Sequence, residues 1–303
     1  MNYPKVSVIT ITYGHEKYIT ETLDGVLMQQ YDGPVEFIIA NDNSPDKTDE
    51  AVKKYFAEHA VPDNFEIKYT RHEINKGMNH NFIWAAQRAT GKYIAMCEGD
   101  DYWTDPLKLQ KQVNILEKNA AYNFVVSDFS ILGEQKVIDE RWQKRFNKAD
   151  FLIQFKDFFE LSWMYKTLTL VFRNKLDYDY MRNFTLLRDV HLIYFLLKSN
   201  GEGYYLNEKM GMYRKHAGGV HSGLGGNNKQ SKVNYEIWKE FYKYEKTAAV
   251  KTKFVDFIID EIYYNRKYHW KEIFKYLLNP QGMLRAVIAS IESIQDKNTR
   301  IGS

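Results

Sequence analysis

The sequence predicts an α/β protein: a mostly parallel sheet flanked by helices, followed by a helical C-terminal region. Three observations predict it. Across the first 130 residues, short apolar runs alternate with segments of helical periodicity. The apolar runs are continuous rather than alternating, as strands covered on both faces require. Polar clusters follow three of these runs, and in open α/β sheets ligands bind beyond the carboxyl ends of the strands.

Residues 5–12 read as the first strand, and residues 16–30 as an amphipathic helix with Tyr18, Ile19, Leu23, Val26 and Leu27 on its apolar side. Residues 35–40 form a second apolar strand, broken by the turn Asn41-Asp42-Asn43-Ser44-Pro45-Asp46. Ser44 or Asp46 is placed to cap a helix over 48–60. A strand over 65–70, a helix over 78–89 and a strand over 92–97 follow, and a further helix starts near Thr104-Asp105-Pro106. Beyond residue 147 the pattern is less regular: a strand over 165–172, a helix over 190–198, and short strands over 203–206 and 211–214. A Gly- and Asn-rich loop covers 215–230, a length that in compact proteins is usually functional or disordered. Residues 231–297 read almost entirely as helix.

Composition bounds the function. Hydrophobic content of 44% and charged content of 27% are those of an ordinary globular chain, and a net charge of +3 is too small by itself to argue for a nucleic-acid partner, so none is expected. The single cysteine, Cys97, excludes an internal disulfide and any multi-cysteine metal site, and its place in a strand makes it an inert buried thiol. Residues 6–11 are too short for a signal-peptide core, and no run of ~20 apolar residues is present, so the expected location is the cytoplasm.

The chemistry concentrates after residues 92–97, where Glu98-Gly99-Asp100-Asp101 sets three carboxylates within four residues at a strand end. Such charge is costly to desolvate unless something positive sits there, and a divalent cation carrying a phosphorylated substrate fits hard oxygen ligands. Thr12-Tyr13-Gly14-His15 and Asn41-Asp42-Asn43-Ser44 end the first two strands and fall on the same rim.

Together with Asn75-Lys76-Gly77 and Gly91-Lys92-Tyr93-Ile94, these segments resemble the family 2 glycosyltransferases, inverting enzymes of the GT-A fold that use nucleotide-sugar donors; the match runs from residue 5 to 110 and more patchily to 222. The resemblance implies a catalytic domain over 1–222, with a nucleotide-binding half (1–130) and an acceptor half (131–222), and a helical extension over 223–303. It makes Thr12, Tyr13, Asp42, Asn75, Gly77, Glu98 and Asp100 nucleotide-sugar contacts. Tyr13 would lay its ring on the base, and Asp42 would accept the uracil ring N–H, a donor that cytosine lacks. Asp101 would ligate Mg²⁺ or Mn²⁺, with His216 in Tyr213-Arg214-Lys215-His216 a late metal or diphosphate ligand and Arg214 or Lys215 neutralising phosphate. Inversion needs a base for the acceptor hydroxyl, and Asp189 in Leu186-Leu187-Arg188-Asp189 matches it. Two departures stand out: Asn41 where the family has an acid, and Glu98 where it commonly has Asp.

The implied function is transfer of a sugar, from a UDP-sugar donor, to a glycan or lipid-linked acceptor in bacterial surface polysaccharide assembly. A sugar nucleotidyltransferase is a weaker reading, because no Gly-rich phosphate loop follows the first strand. A non-catalytic nucleotide-sugar or glycan-binding relative is the other, motivated by Asn41 and Glu98 and opposed by Asp189. Trp103 and Trp163 are candidate sugar platforms or core residues, and His221 and Ser222 are candidates for closing a loop over the donor. Trp270, Phe274 and Leu278, interleaved with Lys267, Lys271 and Lys275, suit a membrane-surface contact, packing on the catalytic domain or a homodimer interface.

Overall fold

A computed structural model describes residues 3–133, 136–138, 149–158, 166–198, 201–219 and 227–265. The chain divides into two compact units, Met1–His216 and Ala217–Ser303. Trp163, His221, Ser222 and the basic aromatic stretch past residue 265 lie outside the described residues.

The first unit is built on one mixed sheet. β1 (Val6–Thr12), β2 (Val35–Asn41), β3 (Phe65–Arg71) and β4 (Tyr93–Met96) are all parallel, in the order β3-β2-β1-β4. All seven residues of β2 are buried, which is why its sequence is a continuous apolar run. β3 lies at the sheet edge, with Glu66 and Arg71 exposed, and charge there blunts edge-to-edge pairing. Their connections carry α1 (Ile19–Leu27), α2 (Thr48–Glu58) and α3 (Met78–Ala86). Asp46 secures the start of α2 by accepting the Thr48 amide at 3.1 Å.

Beyond β4 come the two-residue β5 (Tyr102–Trp103), α4 (Lys108–Lys118), β6 (Tyr122–Leu132), β7 (Val137–Ile138) and β8 (Phe151–Ile153), then β9 (Val171–Arg173), a short α5 (Tyr178–Met181), α6 (Asp189–Lys198) and β10 (Glu202–Arg214). The sheet continues β4-β9-β6-β10-β5, with β9 and β5 antiparallel to their neighbours. Two expectations are corrected here. Residues 167–169 form a 3₁₀ turn, not a strand, because both the amide and the hydroxyl of Thr169 return to the Lys166 carbonyl; only 171–173 pair. The two short strands over 203–206 and 211–214 are one strand, β10, carried through its polar middle by register shifts against β6.

Trp103 is buried, donating its indole N–H to the Leu168 carbonyl at 2.7 Å, so it is a core residue rather than a sugar platform. Beneath it lies a buried amine. Lys108 Nζ sits 4.3 Å over the Trp103 ring and donates to Gln112 Oε1 at 2.6 Å. Burial pushes this ammonium down to about 7, against upward pulls from Cys97 and Asp105. An unfolded lysine titrates near ~10.4, so between the two values the unfolded state holds more protons and stability rises with pH. Below that window the buried charge destabilises in full. Lys108→Met is expected to stabilise the protein near neutral pH by about 1–3 kcal/mol, net of the lost Gln112 bond and cation–π contact. Urea melts of both proteins should converge as pH rises toward ~10; a gap that does not narrow would mean the amine does not titrate in this range.

The second unit contributes α7 (Asn227–Tyr244) and α8 (Ala248–Asn265), so the helix begins before the expected loop ends at 230. The two helices pack through Tyr235, Trp238 and Phe241 against Phe254, Phe257 and Ile258. No helix among the described residues is long and apolar enough to cross a membrane.

Candidate active site

The site grows from the carboxyl ends of β2, β1 and β4, which are neighbours in that order. Past β1, the chain turns at Gly14 (φ 74°), whose amide donates to Ser44 Oγ at 3.1 Å, and the His15 amide donates to Thr48 Oγ1 at 3.0 Å. Thr12 is buried, whereas Tyr13 is 49% exposed, leaving its ring available to a ligand. Past β2, buried Asp42 accepts the Lys76 amide on Oδ1 at 2.7 Å. The turn that supplies that amide is closed by Asn75, whose side chain accepts the Gly77 amide at 2.9 Å, and by Gly77 at φ 79°. The predicted contacts at Asp42, Asn75 and Gly77 are therefore one hydrogen-bonded assembly.

Past β4, the acidic turn is tied down by Thr22 of α1, whose hydroxyl donates to the Asp101 carbonyl at 2.7 Å. Asp100 Oδ2 lies 3.0 Å from His216 Nε2 and 3.8 Å from His15 Nε2. Asp101 Oδ1 accepts the Arg214 amide at 2.8 Å, and Arg214 Nε donates to the Asp100 carbonyl at 3.0 Å while its far end meets Glu21 at 2.9 Å. Arg214 thus buttresses the turn; its guanidinium is held against the rings of Tyr18 and Tyr102.

The electrostatics separate the three acids. Burial, then the charges of Asp100 and Glu98, holds the Asp101 carboxyl well above the usual range. Glu98 is pushed up to about 7 by burial, with Asp100 and Asp189 adding to it against a hydrogen bond from Thr167. Its Oε2 is buried with no hydrogen-bond partner among the described residues. Asp100 goes the other way: burial is outweighed by His216 and His15. The Tyr213 phenol is raised by burial and then by Asp101, Asp100, Glu98 and Asp189, which puts its ring within the field of all four acids. Asp189, half-buried at the start of α6, accepts the Val190 amide on Oδ1 at 2.9 Å, and its charge adds to the field that raises Glu98 and Tyr213.

Three carboxylates within four residues, one of them with an oxygen that has no partner among the described residues, suit a cation. Among the described residues, His15, Asp100 and His216 offer ligand atoms within 4.8 Å of one another, close enough to share one divalent ion. The resemblance gives the ion to Asp101; the acid that faces the two imidazoles is Asp100. Sequence reasoning named His216 but gave His15 no role, and it passed over Lys166, whose Nζ lies 4.9 Å over the Tyr213 ring and lowers the Asp101 carboxyl. A histidine just past a strand end was the only signal for the first, and an isolated lysine gave none for the second.

The family model described as Glycosyl transferase family 2 matches residues 7–180, more than half of the chain. This chain belongs to that family. An uncharacterized protein of Mycobacterium tuberculosis is 33% identical over 215 residues, which is 71% of this chain and 60% of the relative, so the chain spans about three fifths of that protein's length. A Bacillus subtilis glycosyltransferase, provisionally named TuaG for teichuronic acid biosynthesis, is 26% identical over 239 residues, 78% of this chain and 88% of its own length. Among solved structures, Staphylococcus aureus TarS 1–349 in complex with UDP-GlcNAc superimposes with a TM-score of 0.60 at 18% identity, covering 96% of this chain and 81% of that one. The Pyrobaculum calidifontis mannosyltransferase PcManGT, in complex with GDP-Man and Mn²⁺, gives 0.57 at 15% identity, covering 97% and 76%. These likenesses establish the GT-A fold for this member of the family.

Proposed function

We propose that this glycosyltransferase moves a sugar from a UDP-sugar to a glycan or lipid-linked acceptor with inversion, using a divalent cation at the acidic turn. What supports the reading is the acidic turn Glu98-Gly99-Asp100-Asp101, with His216 and His15 beside Asp100, on the rim where Asp42 is held by the Lys76 amide. The relatives support it: TarS binds UDP and UDP-GlcNAc, PcManGT binds GDP-Man with Mn²⁺, and TuaG is named for teichuronic acid biosynthesis.

Asp42 spends Oδ1 on the Lys76 amide, which leaves Oδ2 to accept the uracil ring N–H, while the exposed Tyr13 ring covers the base. Asp189 takes the proton of the acceptor hydroxyl as that oxygen bonds to the anomeric carbon and the bond to the nucleoside diphosphate breaks. Asp100 and His216, beside Asp101, would hold a divalent cation, which would offset the charge that develops on the leaving diphosphate. Lys166 adds a positive charge beside the same acids. The site faces the cytoplasm in this reading, where nucleotide sugars are made, and lipid-linked acceptors are met at the membrane surface.

Calorimetric titration with UDP, GDP, CDP and dTDP, each with Mn²⁺ and with EDTA, tests the donor side. UDP is expected to bind at least tenfold more tightly than CDP, and only with the metal present. Binding of no nucleotide by folded protein would overturn the reading in favour of a site without transfer.

A further inference from the structure

We propose that His15 is a third protein ligand for the cation, completing with Asp100 and His216 a set of two imidazoles and one carboxylate that favours Mn²⁺ over Mg²⁺. This rests on the metal-dependent reading above and deepens it.

The three side chains come from distant segments: the loop after β1, the turn after β4 and the end of β10. Their contacts, 3.0 Å from His216 Nε2 to Asp100 Oδ2 and 3.8 Å from His15 Nε2 to the same oxygen, suit donors around one ion. Metal–ligand bonds of about 2.1 Å place neighbouring octahedral donors about 3 Å apart, and a small closure of His15 meets that.

His15 is aimed as well as near. Metal-bound histidines usually engage their second ring nitrogen in a supporting hydrogen bond that fixes tautomer and direction. Here the buried Thr12 hydroxyl lies 3.2 Å from His15 Nδ1, turning Nε2 toward Asp100. Gly99 makes room for this pair: a Cβ at that position would lie 2.5 Å from Thr12 Oγ1 and 2.9 Å from His15 Nδ1. The backbone is held by Ser44 and Thr48 on the neighbouring loop, as described above. His216 is backed by the Tyr18 ring at 4.8 Å between centroids. A histidine kept only to pair with an acid needs none of this support.

The donor set decides the ion. Imidazole nitrogen binds first-row transition ions, the later ones more tightly than Mn²⁺ but Mn²⁺ more readily than Mg²⁺, which is bound by carboxylates and retained water. The Gly-Asp-Asp turn alone would serve Mg²⁺; adding two imidazoles shifts preference to Mn²⁺.

The test is Mn²⁺ titration of the full chain, with and without UDP, read by electron paramagnetic resonance of free Mn²⁺ and by electron spin-echo modulation of the bound ion. Wild-type protein is expected to show coupling to two imidazole nitrogens and His15→Gln to one, with Mn²⁺ affinity lower by about 10–100-fold and Mg²⁺ affinity changed much less. Coupling to one nitrogen in the wild type, or unchanged affinity and coupling in His15→Gln, would overturn the assignment while leaving a metal-dependent enzyme. No Mn²⁺ binding even with UDP would remove both readings. The wild-type spectrum decides by itself should the variant fail to fold.

Discussion

Asp189→Asn is expected to lower the rate of sugar transfer by about 10²–10⁴-fold while leaving UDP affinity within about twofold. Asn is isosteric with Asp and is equally good at a helix start, so it can still accept the Val190 amide and α6 should keep its place. What it cannot do is take a proton from the acceptor hydroxyl. At about 1.4 kcal/mol per tenfold, the loss corresponds to about 3–5 kcal/mol of transition-state stabilisation. The expected signature is a fall in kcat with donor binding intact, because the proposal gives Asp189 to the acceptor and Asp42 to the nucleotide's base. Transfer rates with a panel of UDP-sugars, beside calorimetry with UDP and Mn²⁺, separate the two terms. Unchanged transfer, or a product that retains the donor's anomeric configuration, would remove Asp189 as the base.

The rim of the sheet was legible in the sequence because continuous apolar strands mark their own ends. β1, β2 and β4 are each followed at once by polar residues, and parallel packing of covered strands leaves one rim for all three clusters. The segments from residue 165 to 214 were harder to read. Thr167 and Thr169 have the β-branched look of a strand, but Thr169 bonds its own backbone and closes a turn. Asn207-Glu208-Lys209 looks like a loop between strands, yet the Asn207 amide is taken by Asp150 and the ladder continues around it. In both places a side chain outside the local pattern decides the backbone. The same holds for His15, whose partner Asp100 lies on a different loop, and no local periodicity connects them.

Glu36→Ala is expected to destabilise the fold by about 3–5 kcal/mol without changing nucleotide or metal affinity in the protein that remains folded. Glu36 sits near the amino end of β2, opposite Ser7 of β1 and away from the rim that carries the site, and its side chain is fully buried. One carboxylate oxygen accepts from the Ser7 hydroxyl, the Thr90 amide and hydroxyl and the Gly91 amide; the other accepts from Lys68 at 2.8 Å, with Lys5 at 3.5 Å. Burial alone would raise this carboxyl, but Lys68, Ser7 and Thr90 outweigh it and hold it at about 2. The unfolded value is higher, near ~4.3, so the stabilisation is fully present above that pH and is lost as pH falls toward about 2. Wild type and variant should therefore differ most in urea melts near neutral pH and converge in acid. A constant gap down to pH ~2 would mean that the donors, not the charge, supply the stability. The contrast with Glu98 is the physical point. Glu36 lies within β2 and Glu98 in the turn past β4, yet one is saturated with donors and anionic, while the other has a buried oxygen with no partner among the described residues and a raised carboxyl. Pairing, rather than burial, separates the acid that holds this fold together from the acids left available to a substrate.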